Sequence, residues 1–442
     1  MSKQRLRFFE KSLGQQHITD ADKYLYKSPA PTHALAIIGT GTIGQEHMYV
    51  ATLLGRARVH GIYDSQVQSM DSAEKNFKDY SDQSLIRYAD LASACSDPEV
   101  DALMICTPNY THADVLKVAM RSGKPIFLEK PMATTLVDAD AIVKANDAYP
   151  SFIQIGLQYR YKAQYIEAFH ELQERKAVGA IKTISMSEYR PPFLDKVGQW
   201  NKFNQNSGGT LVEKCCHYFD LINLLADAIP FRVYASGGQA VNFLDFEKNG
   251  VPADIDDHAF VIIDYANGVR ANFTLNMFCH DFREELVVAG DTGRLMANEV
   301  FNIHQQQPST ATVVLEKGEW GASKQTDVTY AREIEKSGHH GATYYEHIAF
   351  VDQLEGKTTD AATPVQGLWS MVVACAAQHS LKTEQAVDIK AFMLDNNLTD
   401  YLWENGSSMN QAINVTGQAM PAVGLGLWKL DLGEVANTVY NA

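Results

Sequence analysis

The sequence is poor in the features that mark membrane, metal-binding and nucleic-acid-binding proteins. No run of apolar residues is long enough to span a bilayer. The six cysteines have neither the spacing of a zinc site nor that of a disulfide framework, so we expect no metal and a reducing, cytoplasmic setting. The 38 lysines and arginines are outnumbered by 53 aspartates and glutamates, which leaves a formal net charge of −15. That balance argues against nucleic acid or an anionic membrane as partner and favours a small uncharged substrate.

Two domains and two extensions are predicted from the pattern of the 442 residues. Residues 1–32 are a polar N-terminal extension that ends in a proline-containing linker. Residues 33–157 alternate buried strands with helices, which predicts an α/β domain of the Rossmann dinucleotide-binding type, with a parallel sheet. Residues 158–385 are predicted to form an α+β substrate-binding domain with a large, mainly antiparallel, open-faced sheet. Residues 386–442 form a C-terminal extension whose pattern predicts no particular structure.

Individual elements of both domains follow from hydrophobic periodicity. In the first domain it predicts strands at 34–38, 58–63, 102–106, 125–128 and 152–157, and helices at 113–121 and 136–146. In the second domain it predicts a strand at 181–189 and helices at 163–176, 342–355 and 366–382. Strict alternation of apolar and polar residues along 269–277 predicts a sheet with one face left open. Since such a face is often buried by self-association, we expect a homo-oligomer.

A glycine-rich turn follows the first predicted strand and precedes a helix. It contains Gly39, Gly41 and Gly44, the G-x-G-x-x-G pattern of dinucleotide-binding domains. The three glycines would allow a tight turn, close approach of a pyrophosphate and close helix packing, and backbone N–H groups at Thr42 and Ile43 would face the phosphates. The alternative is a turn that only connects strand to helix.

An acidic residue, Asp64, ends the second predicted strand, where it would bind the ribose hydroxyls of the adenosine. A carboxylate there repels a 2′-phosphate, and the residues that follow it supply no arginine. The sequence therefore predicts NAD rather than NADP as the cofactor.

Hydride transfer from a carbinol also needs a base and a cation beside the nicotinamide. Lys130 directly follows a predicted strand at the carboxyl edge of the sheet, which suits a proton relay, although a solvated loop lysine fits the spacing equally well. If residues 210–220 are helical, Glu213, His217 and Asp220 share one face, and the carboxylate could orient the imidazole as a base. Two alternatives remain open on spacing alone: Thr210 and Glu213 could form a capping box, and His217 could be a core histidine.

Four segments together resemble the glucose–fructose oxidoreductase/inositol dehydrogenase (Gfo/Idh/MocA) family over roughly residues 33–385. They are the glycine turn, Thr107-Pro108-Asn109 with His112, Glu129-Lys130-Pro131, and the run from Gly208 to Asp220. The resemblance implies NAD(P) binding by a Rossmann domain and a substrate domain whose open sheet mediates oligomerisation.

The resemblance also implies roles for individual residues. Lys130, Glu213 and His217 would act on the substrate hydroxyl, with His217 as the base, and the Lys130–Pro131 bond would be cis. Glu213 departs from the family, which usually has aspartate there, and Lys214 beside it adds a second candidate cation. The residues expected to line the cofactor, mainly at the nicotinamide ribose, are Thr107, Pro108, Asn109, His112, Glu129 and Lys130.

Aromatic and basic residues at the predicted strand ends are candidates for substrate binding. They are Tyr159, Arg160, Arg190 and Trp200, together with His217. Arginines in the cleft would suit an acidic or sulfonated sugar. The alternative is that residues 159–161 pack the interface between the domains. His339 and His340 precede a helix that would border the cleft, and they are weaker candidates of the same kind.

The leading functional hypothesis is an NAD-dependent dehydrogenase that acts on a secondary hydroxyl of a sugar, inositol or related polyol. A second hypothesis is an NAD-dependent glycoside hydrolase that oxidises its sugar only transiently; accumulation of NADH would separate the two. A third is a non-catalytic NAD-sensing regulator, against which the presence of Lys130 and His217 argues.

Overall fold

The first sheet is parallel throughout and forms a Rossmann-type core. We describe a computed structural model that covers residues 30–301, 309–318 and 323–401. The six strands of this sheet stand in the order β3-β2-β1-β4-β5-β6. The order reverses between β1 and β4, and ligands of such sheets bind in the crevice at that point, outside the carboxyl ends of the strands. The strands are β1 (His33–Ile38), β2 (Ala57–Tyr63), β3 (Ile86–Arg87), β4 (Ala102–Ile105), β5 (Ile126–Glu129) and β6 (Ile153–Gly156).

Helices connect these strands, as alternation of buried runs and amphipathic segments predicts. The central strands are buried on both faces because helices cover both sides, which explains their continuous apolar runs. The five predicted strands are all present, and the short edge strand β3 is additional. The helices are α1 (Thr42–Leu54), α2 (Val67–Phe77), α3 (Leu91–Ser96), α4 (His112–Ala119) and α5 (Leu136–Asp147).

The second sheet has nine strands and is mainly antiparallel, in the order β16-β15-β14-β13-β7-β12-β11-β8-β17. Its one parallel pair is β7 with β12. Along β11 the buried Val261 and Ile263 alternate with Phe260 and Ile262, which are 59% and 51% exposed, so the outer face is open, as predicted. The strands are β7 (Ile181–Tyr189), β8 (Pro230–Gly238), β11 (His258–Tyr265), β12 (Arg270–Asn276), β13 (Phe282–Gly290), β14 (Gly293–Phe301), β15 (Thr310–Lys317), β16 (Lys324–Asp327) and β17 (Val387–Asp388), with a separate hairpin of β9 (Glu247–Lys248) and β10 (Val251–Pro252).

Helices cover the inner face of the second sheet and surround the site. Among the described residues they are α6 (Ala163–Phe169), α7 (Asn204–Ser207), α8 (Thr210–Glu213), α9 (Cys216–Ala226), α10 (Arg332–Glu335), α11 (Ala342–Leu354), α12 (Pro364–Thr383) and α13 (Ile389–Asp395). The helix predicted at 163–176 is α6 followed by a π-helical turn, His170–Glu174.

The fold class is confirmed: a Rossmann-type parallel sheet precedes a domain built on a mixed, mainly antiparallel sheet. Of the predicted C-terminal extension, β17 pairs with β8 and α13 follows it, whereas residues 1–29 and 402–442 lie outside the described residues. All six cysteines are free. No helix in the described part of the chain is long and apolar enough to cross a membrane.

Candidate active site

The glycine turn has the geometry that a phosphate-binding loop requires. Gly39 has φ +93°, and a Cβ there would lie 2.6 Å from the carbonyl carbon of Cys106. A Cβ on Gly44 would lie 2.0 Å from the Gly39 carbonyl oxygen, so both positions exclude any side chain. Gly41 differs: a Cβ there would meet no atom within 4 Å. This open space at the N-terminus of α1, which is not capped by any described side chain, fits a pyrophosphate.

Asp64 directly follows β2 and is half-buried beside the glycine turn. Its Oδ2 accepts a hydrogen bond from the Thr40 amide at 2.8 Å, and its Oδ1 accepts one from the Gln66 amide at 2.8 Å. The carboxylate therefore fixes the turn, and its remaining lone pairs are the ones left for ribose hydroxyls.

The Thr107-Pro108-Asn109 loop follows β4, next to the glycine turn in the sheet. Its Asn109 side chain is buried, and Nδ2 donates to the Ser207 carbonyl of α7 at 3.1 Å. Asn109 thus joins the first domain to the helices that hold the second half of the site. Thr107 and Pro108 are half-buried at the edge of the crevice.

His112 has a different environment from the one predicted. Its imidazole is fully buried, with Nδ1 2.8 Å from the Pro131 carbonyl oxygen and Nε2 2.8 Å from the Thr107 carbonyl oxygen. Burial lowers the pKa of His112, so the ring is neutral and donates its one N–H to one of these carbonyl groups while the other nitrogen lies against the second. The side chain has no room for a cofactor contact, and the prediction that His112 binds the cofactor is wrong for its side chain. It holds two site loops at a fixed spacing instead.

Glu129 is also turned inward, away from the predicted contact with the nicotinamide ribose. Its carboxylate is 3% exposed: Oε1 accepts from His47 Nε2 at 2.8 Å, and Oε2 accepts from the Lys130 amide at 3.0 Å. Burial would raise the pKa of Glu129, but the hydrogen bond from His47 and the nearby positive charge of Lys130 outweigh it and lower that pKa. An ionised carboxylate only accepts, so His47 donates from Nε2, and its Nδ1 accepts from His347 Nε2 at 2.7 Å.

Lys130 enters the site from the end of β5. The Lys130–Pro131 peptide bond is cis, as the resemblance implies. The ammonium donates to the Glu213 carbonyl oxygen at 3.2 Å, which brings the carboxyl end of β5 against α8. Lys130 is half-buried, and its remaining N–H groups can face a ligand.

The segment from 208 to 220 is two helices, and the capping-box interpretation of Glu213 is wrong. Gly209, with φ +92°, precedes α8, and a Cβ there would lie 2.0 Å from Gln378 Nε2 of α12. Thr210 is already helical, and its hydroxyl donates to the Asp256 carbonyl instead of capping the helix. The chain then breaks between α8 and α9, so Glu213 ends one helix and His217 stands in the first turn of the next.

The Glu213 carboxyl group is buried in the cleft, and its Oε2 has no hydrogen-bond partner in the described part of the chain. Burial raises the pKa of Glu213, although the positive charges of Lys196, Lys130, Arg190 and Lys214 act against that rise. A buried carboxyl oxygen without a partner is costly unless a ligand satisfies it.

His217 is 1% exposed and stacks on Tyr159, with ring centroids 4.0 Å apart and planes at 7°. Its Nδ1 has no hydrogen-bond partner among the described residues. Burial lowers the pKa of His217 well below 6.5, and the charges of Lys130 and Lys214 lower it further. The imidazole is therefore neutral at pH 7 and can accept a proton.

Two lysines lie over the Tyr159 ring of this stack: Lys162 Nζ is 4.4 Å and Lys214 Nζ is 4.6 Å from its centroid, and Lys214 also contacts the hydroxyl group. Lys214 Nζ contacts the Tyr159 hydroxyl oxygen at 2.5 Å and lies 3.2 Å from Glu188 Oε1. Burial lowers the pKa of Lys214 to about 8, with the charge of Glu188 acting the other way. Lys214 and Tyr159 thus border the same cleft as Lys130 and His217.

The remaining predicted substrate contacts differ in whether a substrate could reach them. Arg160 is 1% exposed, and its Nε and Nη2 form a bidentate pair with Asp220 at 2.7 and 2.6 Å, so its prediction as a substrate contact is wrong. The neighbouring Tyr161 is buried as well, which supports the interface-packing alternative for this part of the segment. Arg190 and Trp200 are both half-buried. The charge of Arg190 acts on the Glu213 carboxyl, which places it at the cleft, whereas the ring of Trp200 packs against that of Tyr110 with the centroids 6.2 Å apart.

The two histidines before α11 hold the far side of the cleft. His339 Nδ1 lies 2.7 Å from Glu46 Oε1 of α1, and its ring centroid is 6.3 Å from that of Tyr159. His340 pairs with Glu299 on β14. Both have φ in the left-handed region, 42° and 55°, and their rings are engaged with acidic residues.

Several site residues escaped the sequence analysis. Glu188, Glu284 and Glu299 stand opposite one another on β7, β13 and β14 and are all buried on the inner face of the sheet. Lys162 bridges the last two at 2.7 Å. The only signal in the sequence is a charged residue at an inward position of each strand. No group of three or more histidine, cysteine or acidic residues in the described ranges could hold a metal ion.

Both parts of the chain match models of one protein family. Residues 34–157 match the oxidoreductase family with an NAD-binding Rossmann fold, and residues 171–389 match the C-terminal alpha/beta domain of the same family.

Among its relatives, the chain is 34% identical over 273 residues to inositol 2-dehydrogenase of Paracoccus denitrificans, covering 60% of this chain and 74% of that protein. It is 23% identical over 364 residues to myo-inositol 2-dehydrogenase of Thermotoga maritima, covering 80% and 98%. The solved scyllo-inositol dehydrogenase of Lactobacillus casei superposes with a TM-score of 0.63 at 20% identity, covering 81% of this chain and 99% of that one. With both of its domains matched in order, the chain belongs to the Gfo/Idh/MocA oxidoreductase family.

Proposed function

We propose that this protein is an NAD-dependent dehydrogenase acting on a secondary hydroxyl of a sugar, inositol or related polyol. The observation that supports this most is the buried, neutral imidazole of His217, whose Nδ1 has no partner among the described residues. It shares a cleft with the ammonium of Lys130 and the unsatisfied carboxyl of Glu213. A base and hydrogen-bond donors together are what oxidation of a carbinol requires.

The cofactor would lie along the glycine turn. Open space at Gly41 and the N-terminus of α1 would hold the pyrophosphate, and Asp64 would accept hydrogen bonds from the adenosine ribose. The half-buried carboxylate of Asp64 repels a 2′-phosphate, so we propose NAD over NADP. When bound, the nicotinamide supplies the hydride acceptor at the crevice between β1 and β4.

In this proposal His217 accepts the hydroxyl proton, and Lys130 donates a hydrogen bond to the oxygen that becomes the carbonyl. The positive charges of Lys130 and Lys214 lower the pKa of His217, so it accepts the proton only as negative charge develops on the substrate oxygen. The Glu213 carboxyl can accept a hydrogen bond from a neighbouring substrate hydroxyl. Each step uses a group whose hydrogen-bonding capacity the protein leaves unfilled.

We also propose that the outer face of the second sheet is a self-association surface. Phe260 and Ile262 on β11 and Tyr234 on β8 are 59%, 51% and 41% exposed, and adjacent apolar side chains of this size favour burial. Light scattering of the purified protein would give the oligomeric state. A cytoplasmic location remains a prediction.

The test is absorbance at 340 nm after mixing the protein and NAD with inositols, neutral sugars, sugar acids and aryl glycosides, with release of the aryl group followed in the same wells. We expect NADH to accumulate with one class of polyol. In His217→Asn the rate of NADH formation should fall by about 10²–10⁴-fold. Glycoside cleavage that needs NAD while absorbance at 340 nm stays flat would replace this proposal by a glycoside hydrolase. Tight NADH binding with no turnover of either kind would indicate a regulator.

A further inference from the structure

The cleft differs in charge from the protein as a whole. Although the net charge of the chain is −15, four cationic side chains act on the single carboxyl of Glu213. They are Lys130, Lys196, Arg190 and Lys214. Lys214 and Arg190 share one carboxylate, Glu188, whose Oε1 lies 3.2 Å from Lys214 Nζ and 3.6 Å from Arg190 Nη1. Neither Lys130 nor Lys196 has an ion-pair partner within 4 Å in the described part of the chain. These four cations outnumber Glu213 and Glu188, the two carboxyl groups that they face most directly, and the oxidised nicotinamide would add a further positive charge.

Arg190 is the cation whose geometry is most specific. It directly follows β7, and its backbone is fixed on both sides: its N–H donates to the Asn276 carbonyl at 2.9 Å, and its carbonyl accepts from Cys279 at 3.0 Å. The guanidinium lies over the ring of Phe193, 5.3 Å from the centroid. The base of the side chain is thus held in place.

The end of the same guanidinium is available. Nε donates to the Pro191 carbonyl at 3.1 Å, whereas Nη1 is 3.6 Å from Glu188 Oε1, too far for a hydrogen bond. Neither terminal nitrogen donates a hydrogen bond within the described ranges, and the side chain is 18% exposed. In contrast, the guanidinium of Arg160 is saturated by Asp220.

We infer that the substrate is a carboxylated polyol, such as a uronate or a polyhydroxylated cyclohexane carboxylate, whose carboxylate is bound by Arg190. This rests on the proposed function for the hydroxyl that is oxidised. The planar fork of arginine matches a carboxylate with two parallel N–H···O bonds, which a neutral hydroxyl cannot reproduce. The substrate's negative charge would offset the excess of cations. The carboxyl of Glu213 would accept a hydrogen bond from a substrate hydroxyl group, as in the proposed function.

The experiment compares matched substrates in the presence of NAD: glucuronate with glucose, galacturonate with galactose, and quinate with myo-inositol. We expect the carboxylated member of at least one pair to have a kcat/KM at least about tenfold higher, since a hydrogen bond between charged groups contributes that much. In Arg190→Gln the ratio of kcat/KM for the acid to that for its neutral partner should fall by about tenfold to a hundredfold. Arg190→Lys keeps the positive charge but loses the planar fork. Its preference for the acid over the neutral member should lie between those of the wild type and Arg190→Gln. Arg294→Gln, which removes an exposed arginine paired with Glu316 on the second sheet, is the control and should have no effect.

Binding is measured separately, by calorimetric titration of the NADH complex with glucuronate and with glucose. If no substrate is turned over but glucuronate binds in an Arg190-dependent way, the proposed function fails and the carboxylate site stands. Neutral sugars used as well as their acids, or an acid preference that survives Arg190→Gln, would overturn the inference and leave the dehydrogenase intact. A preference for glucose 6-phosphate or a sulfonated sugar over glucuronate would overturn the carboxylate assignment.

Discussion

The ring of Tyr159 lies flat against the imidazole of His217, with the centroids 4.0 Å apart and the planes at 7°. Tyr159 follows the last strand of the Rossmann sheet, and His217 is in the first turn of α9, so the stack joins the Rossmann half of the site to the half that the second domain contributes. It also fixes the plane of an imidazole whose Nδ1 no described residue binds. The orientation of the proposed base is therefore set by packing.

Two substitutions of Tyr159 distinguish the role of its ring from the role of its hydroxyl group. Tyr159→Phe keeps the stack and loses only the contact with Lys214, so we expect kcat to fall a few-fold. Tyr159→Leu removes the stack and frees the imidazole to rotate, and we expect a loss of about a hundredfold, as for other misplaced catalytic groups. Steady-state kinetics with NAD and the best substrate measure both. Equal losses in the two variants would show that the hydroxyl, and not the stack, is what matters.

The pH profile of kcat/KM for oxidation tests the electrostatics of His217. Because burial and nearby lysines lower its pKa below 6.5, the neutral base persists as the pH falls through 6.5, and the acid limb begins only below that value. Lys214→Met removes one of those charges, so the His217 pKa rises and the acid limb moves to higher pH. Lys182→Met, at an exposed position on β7, is the control.

The same profile has an alkaline feature. Lys214 has a pKa of about 8, so its ammonium loses a proton as the pH rises through that value, and its positive charge beside Tyr159 disappears. We expect an inflection near pH 8 in the wild type that is missing in Lys214→Met. A profile that is identical in both proteins would contradict the assignment of Lys214 to the site.

The hydrogen bonds behind Lys130 predict an effect of a residue that contacts no ligand. His47 fixes Glu129 at 2.8 Å, and Glu129 in turn accepts from the Lys130 amide at 3.0 Å. In His47→Gln we expect kcat to fall about tenfold with little change in the KM for NAD, as for other residues that orient a catalytic group. His60→Gln, in the same domain but paired with Asp97, should leave kcat unchanged. If His47→Gln instead lowers the thermal stability and leaves the kcat of the folded protein unchanged, the role of His47 is in folding.

Arg160 should matter for stability and not for substrate choice. Its bidentate pair with Asp220 is buried, and removing one partner of such a pair costs about 3–5 kcal/mol. Arg160→Met should lower the denaturant midpoint accordingly, and the double variant Arg160→Met/Asp220→Leu should recover part of the loss. The ratio of kcat/KM for glucuronate and glucose should stay that of the wild type. A changed ratio would show that Arg160 influences substrate choice and would contradict this prediction.

Local chemistry determined much of this protein from its sequence. A buried strand, three glycines and a helix start predict a phosphate-binding turn, and part of the reason is local: a Cβ on Gly44 would collide with the Gly39 carbonyl oxygen, while Gly41 leaves open space before the helix. The strand alternation that exposes one face of the second sheet is local in the same way, so periodicity and spacing are enough to predict it. The cis bond before Pro131 is implied instead by the resemblance to the family.

Only the tertiary structure decided which polar side chains face the cleft. Arg160 and Arg190 look alike in sequence, yet Asp220 saturates the first while the terminal nitrogens of the second make no hydrogen bond among described residues. His112 and Glu129 turned inward because their partners, the Pro131 carbonyl and His47, come from distant segments. A side chain's partner depends on how strands and helices far apart in sequence pack together. Hydrophobic periodicity and local spacing do not predict that packing.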